Sequence, residues 1–325
     1  MENAQTQSRF AKFAWFVLGY NVLVILWGVF LRASKSGDGC GQHWLTCQGE
    51  ILPSAPELKT VIEFSHRLTT GPAFIFVLLL LVWAFRRFDK GHPVRKAAAV
   101  SFAFIVTEVL IGAVLVLTGN TAEAVTAERP FLAIGHLINS FLLIGSLTLT
   151  AWFAGESKSI SFGADRRPII FLAVGVVAIL LVGTSGSVAA LSSMLFPSAS
   201  LAEGISKDFS AASNVLLRLR LSHPILSILT SVYLIFVAGW LKARSGNEAG
   251  VARWSNILSL VVLMQVAFGA ATLLTLAPIV MQVGHLFLAD LLWIAFVLMA
   301  ANFLASSQQP SETFLPGLAD RDEPV

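Results

Sequence analysis

Residues 61–85 read VIEFSHRLTTGPAFIFVLLLLVWAF, and this run decides the fold. It is long enough to cross a bilayer as one helix, which takes about 20 predominantly apolar residues. Glu63, His66 and Arg67 lie near its start, and an unbroken apolar stretch from Ala73 to Phe85 follows. An imidazole inside a bilayer is costly without a partner, so a histidine there is a functional residue by default.

Seven further stretches have the same character: 13–31, 97–117, 130–154, 168–190, 216–240, 253–276 and 279–303. Only a tight turn at Ala277-Pro278 separates the last two. Of the 325 residues, 56% are hydrophobic and 13% charged, and the mean hydropathy is +0.77. Soluble domains carry roughly a quarter charged residues, so the chain reads as an all-α polytopic membrane protein with eight transmembrane helices. Met1 to Lys12 is polar and leads directly into a full-length apolar run, so neither a cleavable signal nor an organellar presequence is expected.

The pI near 9.0 does not point to nucleic acid. Fourteen of the 22 Lys and Arg fall on one side of the expected topology: Arg9, Lys12, Arg86, Arg87, Lys90, Arg95, Lys96, Lys158, Arg166, Arg167, Lys242, Arg244, Arg253 and Arg321. The positive-inside rule puts that side, with both termini, in the cytoplasm. A bacterial inner membrane is the expected location.

The chain repeats itself. His223 follows His66 by 157 residues, and Gly269 follows Gly112 by 157, within EVLIGA and QVAFGA. Gly135-His136-Leu137 recurs as Gly284-His285-Leu286 at 149, after a shorter loop. Spans one and five both end in glycine-rich segments, from Gly28 and Gly183. Four spans per half give both halves one orientation, a parallel repeat of two four-helix bundles. The expected units are 1–154, 155–303 and a disordered cytoplasmic tail, 304–325.

His66, His136, His223 and His285 each sit about six residues into an even-numbered span, so roughly 9 Å below the outer boundary at 1.5 Å per residue. Two histidines per half, without a cysteine or carboxylate cluster, fit six-coordinate haem iron. Zinc would want four protein ligands, or three plus water, and copper suits so wide an apolar bundle less well. An interhelical hydrogen bond explains any one of these histidines about as well; for four in register it does not. His43 and His92 lie in loops and read as ordinary.

Glu63 precedes His66 by three residues and shares its helix face. Beside a haem it could move protons or orient water; favourable placement in the helix dipole is an equal alternative. The matched position in the second half is Arg220, so the halves differ chemically. Arg67, Arg129, Arg218 and Arg220 are candidates for pairing with haem propionates, with interfacial snorkelling the competing reading. Glu108 and Asp290 lie deeper; each is expected to meet a polar partner or face an internal cavity, and neither receives a role. Cys40 and Cys47, in the first outer loop, are permitted a disulfide there; structural clip and redox-active pair both stay open.

These residues together resemble the haem A synthase family. Most of the chain takes part: the eight spans, the even-span histidines and the outer cysteine pair. The most specific pieces are Glu63-Phe-Ser-His66-Arg67, Gly135-His136, Gly284-His285 and Leu31-Arg32-Ala-Ser-Lys-Ser-Gly37 leading to Cys40. The resemblance implies oxidation of the C8 methyl of haem O to the formyl of haem A for terminal oxidases. It also implies that His66 and His136 flank the substrate haem iron beside a catalytic Glu63, that His223 and His285 hold haem b, and that Cys40 and Cys47 form a disulfide. Implied partners are haem O, an electron donor, haem O synthase and oxidase assembly factors, and a homo-oligomer is compatible. Two departures stand out. Pro224 follows His223 where relatives often carry arginine, and residues 191–215 lack the second cysteine pair some relatives have. The alternative function is a dihaem b-type electron carrier between quinol and an acceptor. A transporter with an internal repeat is a weaker third.

Overall fold

The computed structural model describes residues 2–155, 160, 163, 165–210 and 213–306. Its helices are α1 (Glu2–Ala33), α2 (Leu58–Arg87), α3 (Pro93–Leu117), α4 (Arg129–Gly155), α5 (Arg167–Leu195), α6 (Leu201–Phe209), α7 (Val215–Arg220), α8 (Ser222–Arg244), α9 (Ala249–Leu274) and α10 (Ile279–Ser306). Eight membrane-length apolar segments result among the described residues, with α7 and α8 together forming one, Val215–Arg244. In hydrocarbon every backbone polar group must be satisfied within the chain, which leaves the helix as the natural form for such runs. Outside the helices, the described residues contain one isolated bridge, Cys47 with Glu50. The chain is an all-α, multi-pass membrane protein.

The helices outrun their apolar cores. α2 ends in Arg86 and Arg87, and α10 runs through Ser306, three residues into the stretch expected as tail. Residues 307–325 of that tail, with Lys158 and Arg321 from the charge pattern, lie outside the described residues. Residues 191–215 are partly helical, because α6 forms there. Ser200 Oγ accepts from the Glu203 amide at 3.2 Å, and Glu203 Oε2 accepts from the Ala199 amide at 2.8 Å, a reciprocal cap that starts a helix. The turn before α10 places Leu276 and Ala277 at positive φ, and the Ala277 amide bonds Thr272 O at 2.8 Å.

Helix neighbours close into two rings. α1 packs on α2, α2 on α3, α3 on α4 and α4 on α1; α5 packs on α8, α8 on α9, α9 on α10 and α10 on α5. α4 and α10 are the most enclosed spans and meet along a seam of Phe141, Ile144, Leu147, Trp293, Phe296 and Met299. Trp293 Nε1 donates to Phe141 O across it at 2.7 Å. Large apolar side chains such as Ile75, Leu79, Ile228 and Leu229 point outward, where only lipid satisfies them.

Candidate functional site

Each of the four histidines lies against a glycine of the preceding membrane-length segment. A methyl group on Gly28 would stand 3.1 Å from Cε1 of His66, on Gly186 2.9 Å from His223, and on Gly269 2.9 Å from His285. At Gly112 the distance to His136 is a relaxed 4.0 Å. Small residues let helices approach closely, and here the space goes to an imidazole. All four rings are half-buried, although each belongs to a membrane-length helix.

Around His66 the α1–α2 loop folds down onto the helix. Cys40 and Cys47 form a disulfide, and both residues are fully buried. Gly39 lies against the start of α2 so tightly that a Cβ would come 2.4 Å from the Lys59 backbone. Gly39 O accepts from Thr60 Oγ1 at 2.8 Å and Gln48 Nε2 at 3.0 Å. Glu63, beneath this loop, is only 3% exposed. Its Oε2 accepts from the Cys40 amide at 2.8 Å, and its Oε1 from Arg67 Nη2 at 2.5 Å. Arg67 Nη1 spans onward to His43 O at 2.6 Å and Thr46 O at 2.8 Å. The Cys40–Cys47 loop, Glu63 and Arg67 thus form one cluster a single turn from His66.

His136 has a different companion. Its Nδ1 stands 3.4 Å from Glu108 Oε1, too poorly aligned to count as a hydrogen bond. Glu108 accepts from Ser140 Oγ and, at 2.5 Å, from Asn139 Nδ2. In the second half, His223 Nδ1 lies 3.1 Å from Ser185 Oγ, whose own hydrogen goes to Val182 O at 2.9 Å. With its hydrogen so placed, Ser185 Oγ is set to accept from His223 Nδ1, a tautomer that leaves a lone pair on Nε2. Gln265 Nε2 approaches His285 Nε2 at 3.5 Å. The His223 and His285 ring centres are 6.2 Å apart, with ring planes at 89°.

The remaining candidates have protein partners. Arg129, 4% exposed, donates to the carbonyls of Ala122 and Ala124. Arg220 pairs with Asp208 at 2.5 Å and donates to Gly204 O at 3.0 Å. Arg67 and Arg129 thus already hold loop carbonyls, and Arg220 holds α6. Asp290 is buried in α10 with Oδ2 lacking a partner among the described residues.

Residues 11–297 match the family described as cytochrome oxidase assembly protein, COX15-CtaA. The chain belongs to that family. It is 41% identical over 297 residues to a Protoheme IX farnesyltransferase of Thermus thermophilus, covering 91% of this chain and 49% of that protein. It is 28% identical over 279 residues to the Heme A synthase of Shouchella clausii, covering 84% of this chain and 89% of that one. To the Heme A synthase of Bacillus cereus it is 26% identical over 283 residues, at 85% and 88% coverage. The chain spans about half the length of the Thermus relative.

Haem fits the residues of this COX15-CtaA chain. Nδ1 of His66 and of His285 is buried without a hydrogen bond, and orphaned polar atoms in an apolar bundle call for a partner. No group of three or more His, Cys, Asp or Glu among the described residues could hold a bare ion. Paired histidines suit an iron that brings its equatorial nitrogens with it. The His223 and His285 ring centres, 6.2 Å apart, are near enough for both residues to hold one such group. Sequence reasoning missed the partners of these rings: Glu108, Gln265 and Ser185. For the first two, the matched EVLIGA and QVAFGA segments were the available signal.

Proposed function

We propose that this protein is a haem A synthase of a bacterial cytoplasmic membrane. It oxidises the C8 methyl of haem O to the formyl of haem A, through successive hydroxylations and loss of water, a net four-electron oxidation whose oxidant comes from outside the chain. The observation that carries this reading is the Glu63 cluster. A buried carboxylate held between a disulfide loop and an arginine lies beside His66, while the matched position of the other half carries Arg220, paired with Asp208. A pure electron carrier needs no such difference between its halves.

In this reading His66 and His136 flank the iron of the substrate haem, and His223 and His285 hold a resident haem b. When bound, the haem b supplies one-electron transfer. Glu63 is held within one turn of His66, where a carboxylate can take up or deliver the proton of a water molecule at the reacting edge. The Cys40–Cys47 loop closes over Glu63 and excludes bulk water from it. Arg67, Arg129 and Arg220 brace the loops and offer their remaining N–H groups to propionates.

The halves 1–154 and 155–303 form a parallel repeat, a reading supported by the two helix rings and the four glycine notches. Positive-inside charge places both termini in the cytoplasm and the haem sites towards the outer face. Haem O synthase is the expected supplier of substrate. Support comes from the Thermus protein named a farnesyltransferase, about half of which resembles this chain.

The test is expression in a host that makes haem O but not haem A, followed by pigment extraction. Haem A should appear, and Glu63→Gln should sharply reduce it. Unchanged haem O beside a folded, haem-loaded protein would overturn the enzyme in favour of a dihaem electron carrier.

A further inference from the structure

α3 and α9 carry the same device with one chemical difference. In α3, Glu108 precedes the notch glycine Gly112 by one turn; in α9, Gln265 precedes Gly269 by one turn. Residues four apart share a helix face, so each helix presents its notch and its polar side chain to one histidine. Glu108 Oε1 stands 3.4 Å from His136 Nδ1, and Gln265 Nε2 stands 3.5 Å from His285 Nε2. One ring therefore faces a carboxylate and the other a neutral amide.

The surroundings separate the two further. Asn139 Nδ2 donates to Glu108 at 2.5 Å and to Phe104 O at 2.9 Å, while its Oδ1 accepts from Thr107 Oγ1 at 2.6 Å. Ser140 Oγ also bonds Glu108. The corresponding positions of the second half are Met264 for Thr107, Leu288 for Asn139 and Ala289 for Ser140. None of these can donate a hydrogen bond from its side chain. Glu108 thus sits in a purpose-built cradle of donors that the second half lacks.

We propose that Glu108 is a positioning residue for His136, supplying an anionic partner that places the N-terminal haem iron at a lower reduction potential than the C-terminal one. The proposal rests on the haem ligand assignment above. A ligating histidine whose other ring nitrogen meets a carboxylate is fixed in orientation and becomes a stronger donor to the metal. Hydrogen bonding to an axial ligand is one of the protein's levers on haem potential. At 3.4 Å the carboxylate lies within ion-pair reach of the ring. His285, beside the neutral amide of Gln265, has no such anionic partner. Electron transfer from the N-terminal to the C-terminal iron is then downhill.

The experiment is a spectroelectrochemical titration of the purified, haem-loaded full chain. The component missing from His136→Ala is assigned to the N-terminal haem. Glu108→Gln, which copies the other half, should raise the midpoint of that component and leave the second in place. Gln265→Glu should lower the midpoint of the C-terminal component alone. Wild-type haem content with neither midpoint moved overturns the proposal. If Glu108→Gln loses its haem, the direction of the Gln265→Glu shift decides. A wild-type protein without haem, or one in which His136→Ala keeps both components, overturns the ligand assignment instead.

Discussion

The backbone amide of Cys40 donates to Oε2 of Glu63 at 2.8 Å. A loop closed by a disulfide and a helix that carries a haem-ligand candidate therefore share one carboxylate. The state of the loop and the placement of Glu63 cannot vary independently.

Replacing Cys40 and Cys47 by serine removes the closure of a short loop, worth roughly 2–3 kcal/mol on chain entropy. Thermal unfolding in detergent should show a lower midpoint. Haem A yield should fall further than the stability loss explains, because the Cys40 amide no longer holds Glu63. Yield falling only in proportion to folded protein would show that the loop acts as a clip alone.

Arg67 ties Glu63 to the carbonyls of His43 and Thr46. Arg67→Ala strands a nearly buried carboxylate, at about 2–3 kcal/mol; a fully buried pair would cost about 3–5, and partial exposure of Arg67 lowers the figure. Arg67→Lys restores charge but not the forked geometry, so it should recover only part of the stability. Full recovery by lysine in chemical denaturation would count against the three-way bridge.

The glycine notches predict a graded series. Gly186→Ala and Gly269→Ala each place a methyl 2.9 Å from a histidine ring, an overpacking that typically costs about 1–3 kcal/mol. Both should reduce haem retained in the C-terminal half, read from the absorption spectrum of purified protein. Gly112→Ala meets His136 at an ordinary 4.0 Å and should keep its haem. Equal losses in all three would break the link between notch and ring.

Trp293→Phe removes the bond from Nε1 to Phe141 O across the α4–α10 seam. The ring area is largely kept, so the loss should be about 1 kcal/mol, seen as a modest fall in thermal midpoint with unchanged haem content. A much larger loss would mean the indole fills space that phenylalanine cannot.

Hydropathy alone made the eight spans and the place of each histidine legible, because both depend on patterns repeated along one helix. The partners of those histidines depend on which residue of another helix arrives at the same depth. Spacing along one chain segment does not specify that; Ser185 is an instance. The loop contacts of the arginines are hidden for a related reason. A long guanidinium reaches loop carbonyls such as those of Ala122 and Ala124, and loop paths leave no periodic trace. α6 was the readable omission, since Ser200-Leu-Ala-Glu203 is a capping box in plain sequence.

The glycine notches also bear on how such a site can be inherited or rebuilt. Each ring position is written twice, once as a histidine and once as a vacancy on the neighbouring helix. A histidine grafted alone into another helical scaffold would bring half of that instruction and collide with whatever side chain it found. Drift at either position is held in check by the other, so the two are expected to change together or not at all.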